Sequence, residues 1–232
     1  MKISLTMFLT IILVNTVFSR AKIDSTIRDI KTASIGGVKF TAVLKVMPSE
    51  QAIFIKNESN HKTIKIGDRS LESAGISGID FIDFNQDGYK DILIDYYTNV
   101  PGIQDLLLYD KNHKTFVKVK NFAQYPDAIH IHYSKYFYSY HRSGCADWDW
   151  DSDLFKIVNF KVVKIATISG RGCDRDDPDD KEETGVFIYK VKDAKGKLIK
   201  KLPITVIEKY KDWKWGFIRD YWKRHYLFFA QP

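Results

Sequence analysis

The stretch Asp83-Phe84-Asn85-Gln86-Asp87-Gly88-Tyr89-Lys90-Asp91 places oxygen-bearing side chains at alternate positions of a short loop. Calcium prefers oxygen ligands, and carboxylates this close repel one another unless a cation lies among them. Gly88 permits the sharp turn that folds the chain around an ion. We therefore predict a calcium site formed by the side chains of Asp83, Asn85, Asp87 and Asp91 and the backbone carbonyl of Tyr89. The alternative is an Asx-rich turn with solvated charges.

The segments on either side of this loop are typical of strands and not of EF-hand helices. Gly78–Ile82 precedes the loop with weak alternation, and Ile92–Tyr97 follows it with β-branched and aromatic residues. Ile94 occupies the twelfth loop position, where an EF-hand has a bidentate Glu. The ion is therefore expected to bridge two strands. An ion in that position is structural more often than catalytic, and it stabilises the strands that it joins.

The rest of the chain predicts a mainly β protein with antiparallel sheets in a propeller-like or sandwich architecture. Residues 22–232 are expected to form a single all-β calcium-binding domain. The segment Asp24–Ala33 suits a short helix or an extended arm, and no helical periodicity extends beyond two or three turns. The evidence for strands is a series of short apolar runs between turn residues. They lie at Lys39–Val46, Ala52–Lys56, Lys62–Ile66, Asp105–Tyr109, Thr115–Val119, Thr184–Val191, Ile204–Lys209 and Tyr226–Phe229.

The N-terminus, residues 1–21, is typical of a secretory signal peptide. Lys2 precedes an apolar run over Ile3–Phe18, and Ser19-Arg20-Ala21 has the small-residue spacing of a signal-peptidase site. The alternative is an uncleaved anchor. The run is shorter than the roughly 18 to 20 residues that a spanning helix needs, and polar residues interrupt it. We therefore expect a periplasmic or secreted protein with no membrane span in the mature chain.

The chain has two cysteines, Cys145 and Cys173, and both lie after the predicted signal peptide. A lone pair in an oxidising compartment most simply forms one disulfide. Strands over Leu154–Asn159 and Val162–Ser169 would make a hairpin through Phe160-Lys161, and the bridge would join the open ends of that hairpin. It closes a loop of roughly 27 residues and contributes about 3 to 4 kcal/mol by chain entropy. A thiolate metal site lacks further ligands nearby.

The formal net charge of +7 is unevenly distributed. Asp174–Glu183 carries seven carboxylates and indicates a solvated acidic loop; a second calcium site is the alternative, although no Gly defines its ligand spacing. Lys209–Arg224 interleaves six Lys or Arg residues with three tryptophans. We interpret this run as strands with inward aromatics and outward lysines; glycan binding is the alternative. Nucleic acid is not an expected partner of an exported protein.

Two aromatic clusters allow more than one interpretation. His130 and His132 would share a face of a strand and reach a common metal ion, or they belong to a stacked aromatic surface. Trp148 and Trp150 alternate with Asp residues. They form either an exposed recognition edge, since tryptophan dominates binding hot spots, or a strand with both indoles buried on one face.

The calcium loop, Val100-Pro101-Gly102 and Leu108-Tyr109-Asp110 resemble the calcium-bearing repeat of integrin-type FG-GAP and VCBS proteins. Their order is similar to that in small exported bacterial proteins with one such loop, a group that includes periplasmic immunity proteins of Xanthomonas type IV secretion that inhibit a lysozyme-like effector. The resemblance covers roughly residues 78–116. It implies calcium binding, an envelope location and, more distantly, inhibition of a hydrolase.

The sequence contains no Gly-x-Ser-x-Gly, no His-Glu-x-x-His and no phosphate-binding Gly loop, so we do not expect an enzyme. We expect an exported protein that binds and inhibits a cell-wall hydrolase or a similar extracytoplasmic protein. The alternatives are a calcium-stabilised adhesion or glycan-binding module, and a hydrolase whose site the sequence does not reveal. The expected partner-binding residues are Trp148, Trp150, Asp176, Asp177, Asp179 and Asp180.

Overall fold

The structure is a computed structural model that describes residues 25–71, 75–173, 183–193 and 195–231. Over these ranges the chain forms three antiparallel sheets, three short 3₁₀ turns and one α-helix. The prediction of a mainly β protein built from antiparallel sheets is confirmed. The predicted signal peptide, residues 1–21, lies outside the described residues.

The first two sheets are four-stranded meanders in chain order. The first contains β1 (Thr26–Ile35), β2 (Val38–Val46), β3 (Glu50–Asn57) and β4 (Thr63–Ser70). The second contains β5 (Ile76–Ile82), β6 (Asp91–Tyr96), β7 (Gln104–Asp110) and β8 (Thr115–Lys118). The segment predicted as a short helix or an arm is therefore the paired strand β1. Its turn into β2 uses Gly36 and Gly37 at φ of 55° and 79°, which suits a tight hairpin.

The third sheet has seven strands in the order β15-β14-β13-β12-β10-β9, with β11 also paired to β12. They are β9 (Ile129–His130), β10 (Tyr136–Tyr138), β11 (His141–Gly144), β12 (Asp149–Val158), β13 (Lys161–Arg171), β14 (Gly185–Lys192) and β15 (Lys195–Leu202). The hairpin predicted around the disulfide corresponds to β12 and β13. Its turn consists of Asn159 and Phe160, one residue earlier than predicted, because both adopt the positive φ that a two-residue hairpin turn requires.

The sheets pack face to face, with the second sheet in the middle. On β6, Ile92 and Ile94 pack with residues of the first sheet such as Phe40 and Leu44. Leu93 points the other way and joins a cluster that includes Phe155 of the third sheet. This alternation is the two-residue period of a strand whose two faces are both covered. The packing is therefore sandwich-like, in agreement with the predicted architecture.

A C-terminal helix, α1 (Trp213–Ala230), covers the outer face of the third sheet. Phe217, Ile218, Trp222 and Phe229 are buried against that sheet. The prediction of strands was wrong for residues 204–209, which form a 3₁₀ turn, and for residues 209–224 and 226–229. The run is rich in aromatic residues that favour strands locally, but only a helix brings these four side chains onto one buried face. Within the described ranges, no helix has both the length and the apolarity needed to cross a bilayer.

The helix is fixed to the sheet by Trp222, whose indole N–H donates to Ser152 Oγ on β12 at 2.8 Å. We predict that Trp222→Ala lowers the free energy of unfolding by about 3 to 5 kcal/mol, since the residue is fully buried. Urea unfolding followed by circular dichroism measures the change. Trp213→Ala, at an exposed position of the same helix, is the control and should change stability by no more than about 0.5 kcal/mol. Equal losses in the two variants would contradict the packing described above.

Candidate functional site

The predicted calcium loop connects β5 to β6, and its side-chain oxygens are turned toward its own backbone amides. Asp83 accepts hydrogen bonds from the amides of Asp87 and Gly88, both at 3.0 Å. Asn85 Oδ1 accepts from the amide of Asp87 at 3.1 Å, and Asp87 Oδ1 accepts from the amide of Tyr89 at 2.9 Å. Gly88 has a φ of 89°, so the turn does need glycine here. The loop therefore brings three of the predicted ligands into one compact turn.

The fourth predicted side-chain ligand, Asp91, is fully buried at the start of β6. Its carboxylate accepts the amide of Phe84 at 3.1 Å and the amide of Tyr109, on β7, at 2.9 Å. Burial raises the pKa of this carboxyl to about 7; the amides of Tyr109 and Phe84 oppose the shift, and the charge of Asp87 adds to it. Asp91 thus fastens the loop to the neighbouring strand.

The donor set of the loop consists of carboxylate, amide and carbonyl oxygens, which suits a hard cation such as calcium. Among the described residues, no three His, Cys, Asp or Glu side chains approach closely enough to form a metal centre. Calcium binding therefore stays a prediction. The loop conformation itself is held by Asx-type hydrogen bonds, as in the alternative interpretation of the sequence.

The predicted disulfide is present and pins a surface turn. Cys145 and Cys173 are bonded, with their Cα atoms 5.9 Å apart. The bridge joins the 3₁₀ turn Cys145–Asp147 to the segment after β13, as expected for the open ends of the β12–β13 hairpin. Asp149 Oδ1 accepts hydrogen bonds from the amides of Gly172 and Cys173 at 2.9 and 3.2 Å. The turn that carries Trp148 is therefore held by covalent and polar contacts.

Beside this turn lies an open cleft of about 710 Å³, which we call the tryptophan cleft. Three exposed indoles surround it, those of Trp148, Trp213 and Trp215. Trp150 contributes to the wall but is only 1% exposed, whereas Trp148 is 57% exposed. The expectation that both Trp148 and Trp150 serve a partner is therefore wrong for Trp150, because the strand period turns it into the core beside Phe217. The two tryptophans occupy different environments, so neither sequence interpretation holds for both.

The charged groups of the tryptophan cleft are paired with one another. Lys214 Nζ lies 2.8 Å from the Asp147 carboxylate, and Arg219 lies 2.8 Å from Asp212. Burial opposes ionisation of Asp147, but hydrogen bonds from Lys214 and Tyr140 outweigh it and lower the pKa of this carboxyl. Burial and the same hydrogen bond hold the pKa of Tyr140 well above its usual value. The cleft thus combines aromatic faces with little net charge.

Trp215 separates this cleft from a second depression of about 430 Å³. Trp215 and Arg219 line both, and Tyr138, Tyr140 and Asp127 line the second. Burial raises the pKa of the Asp127 carboxyl. The Trp215 ring is held edge-on to Tyr140 with centroids 3.7 Å apart, and Lys214 Nζ lies 4.9 Å from its centre. The two depressions are therefore adjacent, and we refer to them together as the groove.

The histidine pair does not form the shared metal site considered from the sequence. Strand β9 ends at His130, so His132 does not continue the same strand face. His130 Nε2 lies 2.6 Å from the carbonyl oxygen of Ser134, and the His132 ring packs on Tyr133. The remaining predicted partner residues, Asp176, Asp177, Asp179 and Asp180, lie outside the part of the chain that the structure describes.

Sequence reasoning missed the contribution of α1 to the tryptophan cleft. Trp213 and Trp215 stand at the start of the helix, far along the chain from Trp148. The run of tryptophans among lysines was the available signal, but only the packing of the helix on the third sheet brings it beside the disulfide turn. Lys214 Nζ shows the proximity directly, since it donates to the carbonyl oxygen of Asp147.

Comparison with known proteins leaves the family open. No family model matches the chain, and no curated protein matches it. One similar solved structure is described as "Structure of a Xanthomonas Type IV Secretion System related protein". It is 16% identical, covers 74% of this chain and 93% of its own, and superposes with a TM-score of 0.44. Similarity at this level assigns neither a family nor a function.

The role of Asp91 in holding the calcium loop is testable without the ion. In EDTA, Asp91→Ala should lower the free energy of unfolding by about 2 kcal/mol or more, because the buried amides of Phe84 and Tyr109 lose their acceptor. Asp91→Asn keeps one acceptor oxygen and should lose less. Asp80→Ala, which removes an exposed ion pair with Lys31, is the control and should cost about 1 kcal/mol at most. An unchanged urea midpoint in Asp91→Ala would refute this role.

Proposed function

We propose that this chain is an exported, calcium-stabilised binding protein that docks an extracytoplasmic protein at the tryptophan cleft and inhibits it. The partner class we propose is a cell-wall hydrolase. The observation that carries the proposal is the tryptophan cleft itself, in which three exposed indoles stand on two rigid supports, the disulfide-pinned turn and the start of α1. Exposed tryptophans grouped around a cleft are rare on a surface with no binding role.

The side chains of the tryptophan cleft are of the types that dominate protein interfaces. Tryptophan, tyrosine and arginine supply most binding hot spots, and Trp148, Tyr140 and Arg219 lie in or beside the groove. The ion pairs of Lys214 and Arg219 hold neighbouring side chains in place before a partner arrives. Preorganisation of this kind reduces the entropy lost on binding. These features support a role in binding.

Two features support the compartment that we propose. The disulfide between Cys145 and Cys173 suits an oxidising environment, and Ser19-Arg20-Ala21 suits signal-peptide cleavage. We propose the periplasm or the extracellular space as the location. The similarity of the calcium loop and its downstream segments to exported immunity proteins supports a hydrolase as the partner.

Calcium would be held by Asp83, Asn85, Asp87, Asp91 and the carbonyl of Tyr89. A cation beside Asp91 would offset the cost of burying its charge, which the raised pKa of this group reflects. The ion would stabilise the β5–β6 connection in the central sheet, and the cleft would retain its own geometry. We therefore assign calcium a structural role.

The calcium assignment predicts that the ion raises the free energy of unfolding. At a calcium concentration about 100 times Kd, the ion should stabilise the protein by about 2.7 kcal/mol. The double variant Asp83→Ala/Asp87→Ala should lose this gain, and Asp68→Ala/Asp80→Ala, which removes two exposed carboxylates elsewhere, should keep it. Thermal unfolding with calcium or EGTA, together with titration calorimetry, measures the effect. If the wild-type protein gives neither heat nor a thermal shift, the calcium assignment fails.

Inhibition can be tested by the turbidity of a cell-wall suspension treated with a lysozyme-type hydrolase from the same envelope. The mature protein should slow clearing, and Trp148→Ala/Trp213→Ala should raise the half-inhibitory concentration by at least about 30-fold, the size of a hot-spot loss. Tyr97→Ala removes an exposed aromatic ring that follows β6 and does not line the tryptophan cleft, so this variant should inhibit normally. Full inhibition by the double tryptophan variant would exclude the tryptophan cleft as the docking site.

A second candidate function is glycan binding in the same groove. The near-neutral lining and the exposed indole faces suit the apolar C–H faces of sugar rings, and the paired polar groups suit their hydroxyls. Titration of tryptophan fluorescence with N-acetylglucosamine oligomers distinguishes the two functions. Saturable quenching that Trp213→Ala abolishes, without any protection of cell walls, would replace the inhibitor proposal by an adhesion module.

A further inference from the structure

One end of the third sheet gathers exposed lysines from several strands. Antiparallel pairing joins the end of β12 to the start of β13 through Val158 and Lys161, and the end of β14 to the start of β15 through Lys192 and Lys195. Because β13 also pairs with β14, these connections lie at the same end of the sheet. The turn before β10 lies there too, since Tyr136 pairs with Lys156. We call this the basic end; its exposed lysines are Lys135, Lys161, Lys192, Lys195 and Lys197.

Most of the positive charge on the lysines of the basic end is not neutralised by ion pairs. Nearby Lys164 and Lys201 form ion pairs with Asp153 and Glu183. Among the residues that the structure describes, none of the five lysines of the basic end has such a partner. Asp193, in the turn between β14 and β15, is exposed and follows Lys192 directly in the sequence. The basic end therefore presents a concentrated positive charge to its surroundings.

The same end exposes large apolar and aromatic side chains. Tyr133, in the turn before β10, is 92% exposed, and Leu227 and Phe228, in the last turns of α1, are 61% and 53% exposed. Two contacts place those helical turns at the basic end. The ring of Tyr226 packs on Tyr136 with centroids 5.5 Å apart, and Lys190 Nζ donates to the carbonyl oxygen of Gln231 at 2.8 Å. Leu198 on β15 is also exposed.

We propose that the basic end docks on the surface of a bilayer that contains anionic phospholipids. Lysines near such a surface are attracted by its negative potential, and exposed Tyr, Leu and Phe gain by entering the boundary between headgroups and acyl chains. Lysines on an edge strand can also prevent unwanted pairing with other chains. That role does not explain Lys135, Tyr133 and Phe228, because these residues are not on the edge strand β15. A soluble polyanion would use the lysines and leave the apolar side chains without a role. The combination therefore selects a bilayer.

This docking would orient the tryptophan cleft away from the bilayer. Trp150, in the cleft wall, pairs with Gly170 near the end of β13, and the disulfide follows that strand, so the cleft lies at the end of the sheet opposite the basic end. A molecule held by the basic end would present the cleft to proteins or polymers beyond the membrane surface. The docking proposal does not depend on which partner the cleft binds.

Sedimentation of the mature protein with extruded vesicles tests the proposal. Vesicles of equal parts phosphatidylglycerol and phosphatidylcholine should bind the protein, and vesicles of phosphatidylcholine alone should bind it at least 10-fold more weakly. The variant Lys192→Glu/Lys195→Glu/Lys197→Glu should lower the partition coefficient on anionic vesicles by about 100-fold or more. Lys39→Glu/Lys62→Glu/Lys111→Glu makes the same change of charge at exposed lysines of β2 and of the connections next to β4 and β7. It is the matched control, and its partition coefficient should fall by a several-fold smaller factor.

A second variant separates a bilayer from a polyanion. Leu227→Ser/Phe228→Ser keeps every lysine and removes two exposed apolar side chains, so it should bind anionic vesicles at least 10-fold more weakly while binding soluble polyphosphate as before. Circular dichroism confirms that the variants remain folded. The proposal is overturned if the two lysine triple variants lose binding equally, if both vesicle types bind alike, or if the Leu227→Ser/Phe228→Ser variant binds anionic vesicles like the wild type.

Discussion

The second sheet is buried on both faces, and the rest of the structure depends on this constraint. Strand β6 sends Ile92 and Ile94 toward the first sheet and Leu93 toward the third, so both faces of this strand are covered. Because the sheet is covered on two sides, the polar groups at its strand ends need hydrogen-bond partners within the protein. Asp91 is such a partner at the β5–β6 connection, where it accepts the amides of Phe84 and Tyr109. The same burial raises the pKa of its carboxyl to about 7.

The two surfaces with a proposed role occupy opposite ends of the third sheet. At one end, the disulfide, Asp149 and the first turn of α1 hold a near-neutral aromatic cleft. At the other, lysines from several strands stand beside exposed side chains of the last helical turns. The separation follows from antiparallel pairing, which sends alternate connections to opposite ends of a sheet. One sheet thus carries two surfaces of different chemistry.

Much of the local structure was predictable because it depends on neighbours in the chain. Residues 92–97 predicted a strand, and the cysteine pair, in a chain with the features of an exported protein, predicted the bridge that the structure contains. The spacing of Asp83, Asn85, Asp87 and Gly88 predicted a tight oxygen-rich turn. The helix α1 was not predictable in this way. Its aromatic residues favour strands locally, and its buried face is defined only by the third sheet on which Trp222 packs.

The sequence by itself determined the β-rich class, the tight turn after β5 and the disulfide. Each depends on a short local pattern, or on two cysteines that can pair in only one way. The tertiary structure decided which tryptophans reach the surface, since Trp148 and Trp150 differ only in the direction that the strand and its preceding turn give them. It also decided that Trp213 and Trp215 join Trp148, and that separate lysines form one basic end. These arrangements depend on contacts between residues far apart in the chain, and no local pattern encodes them.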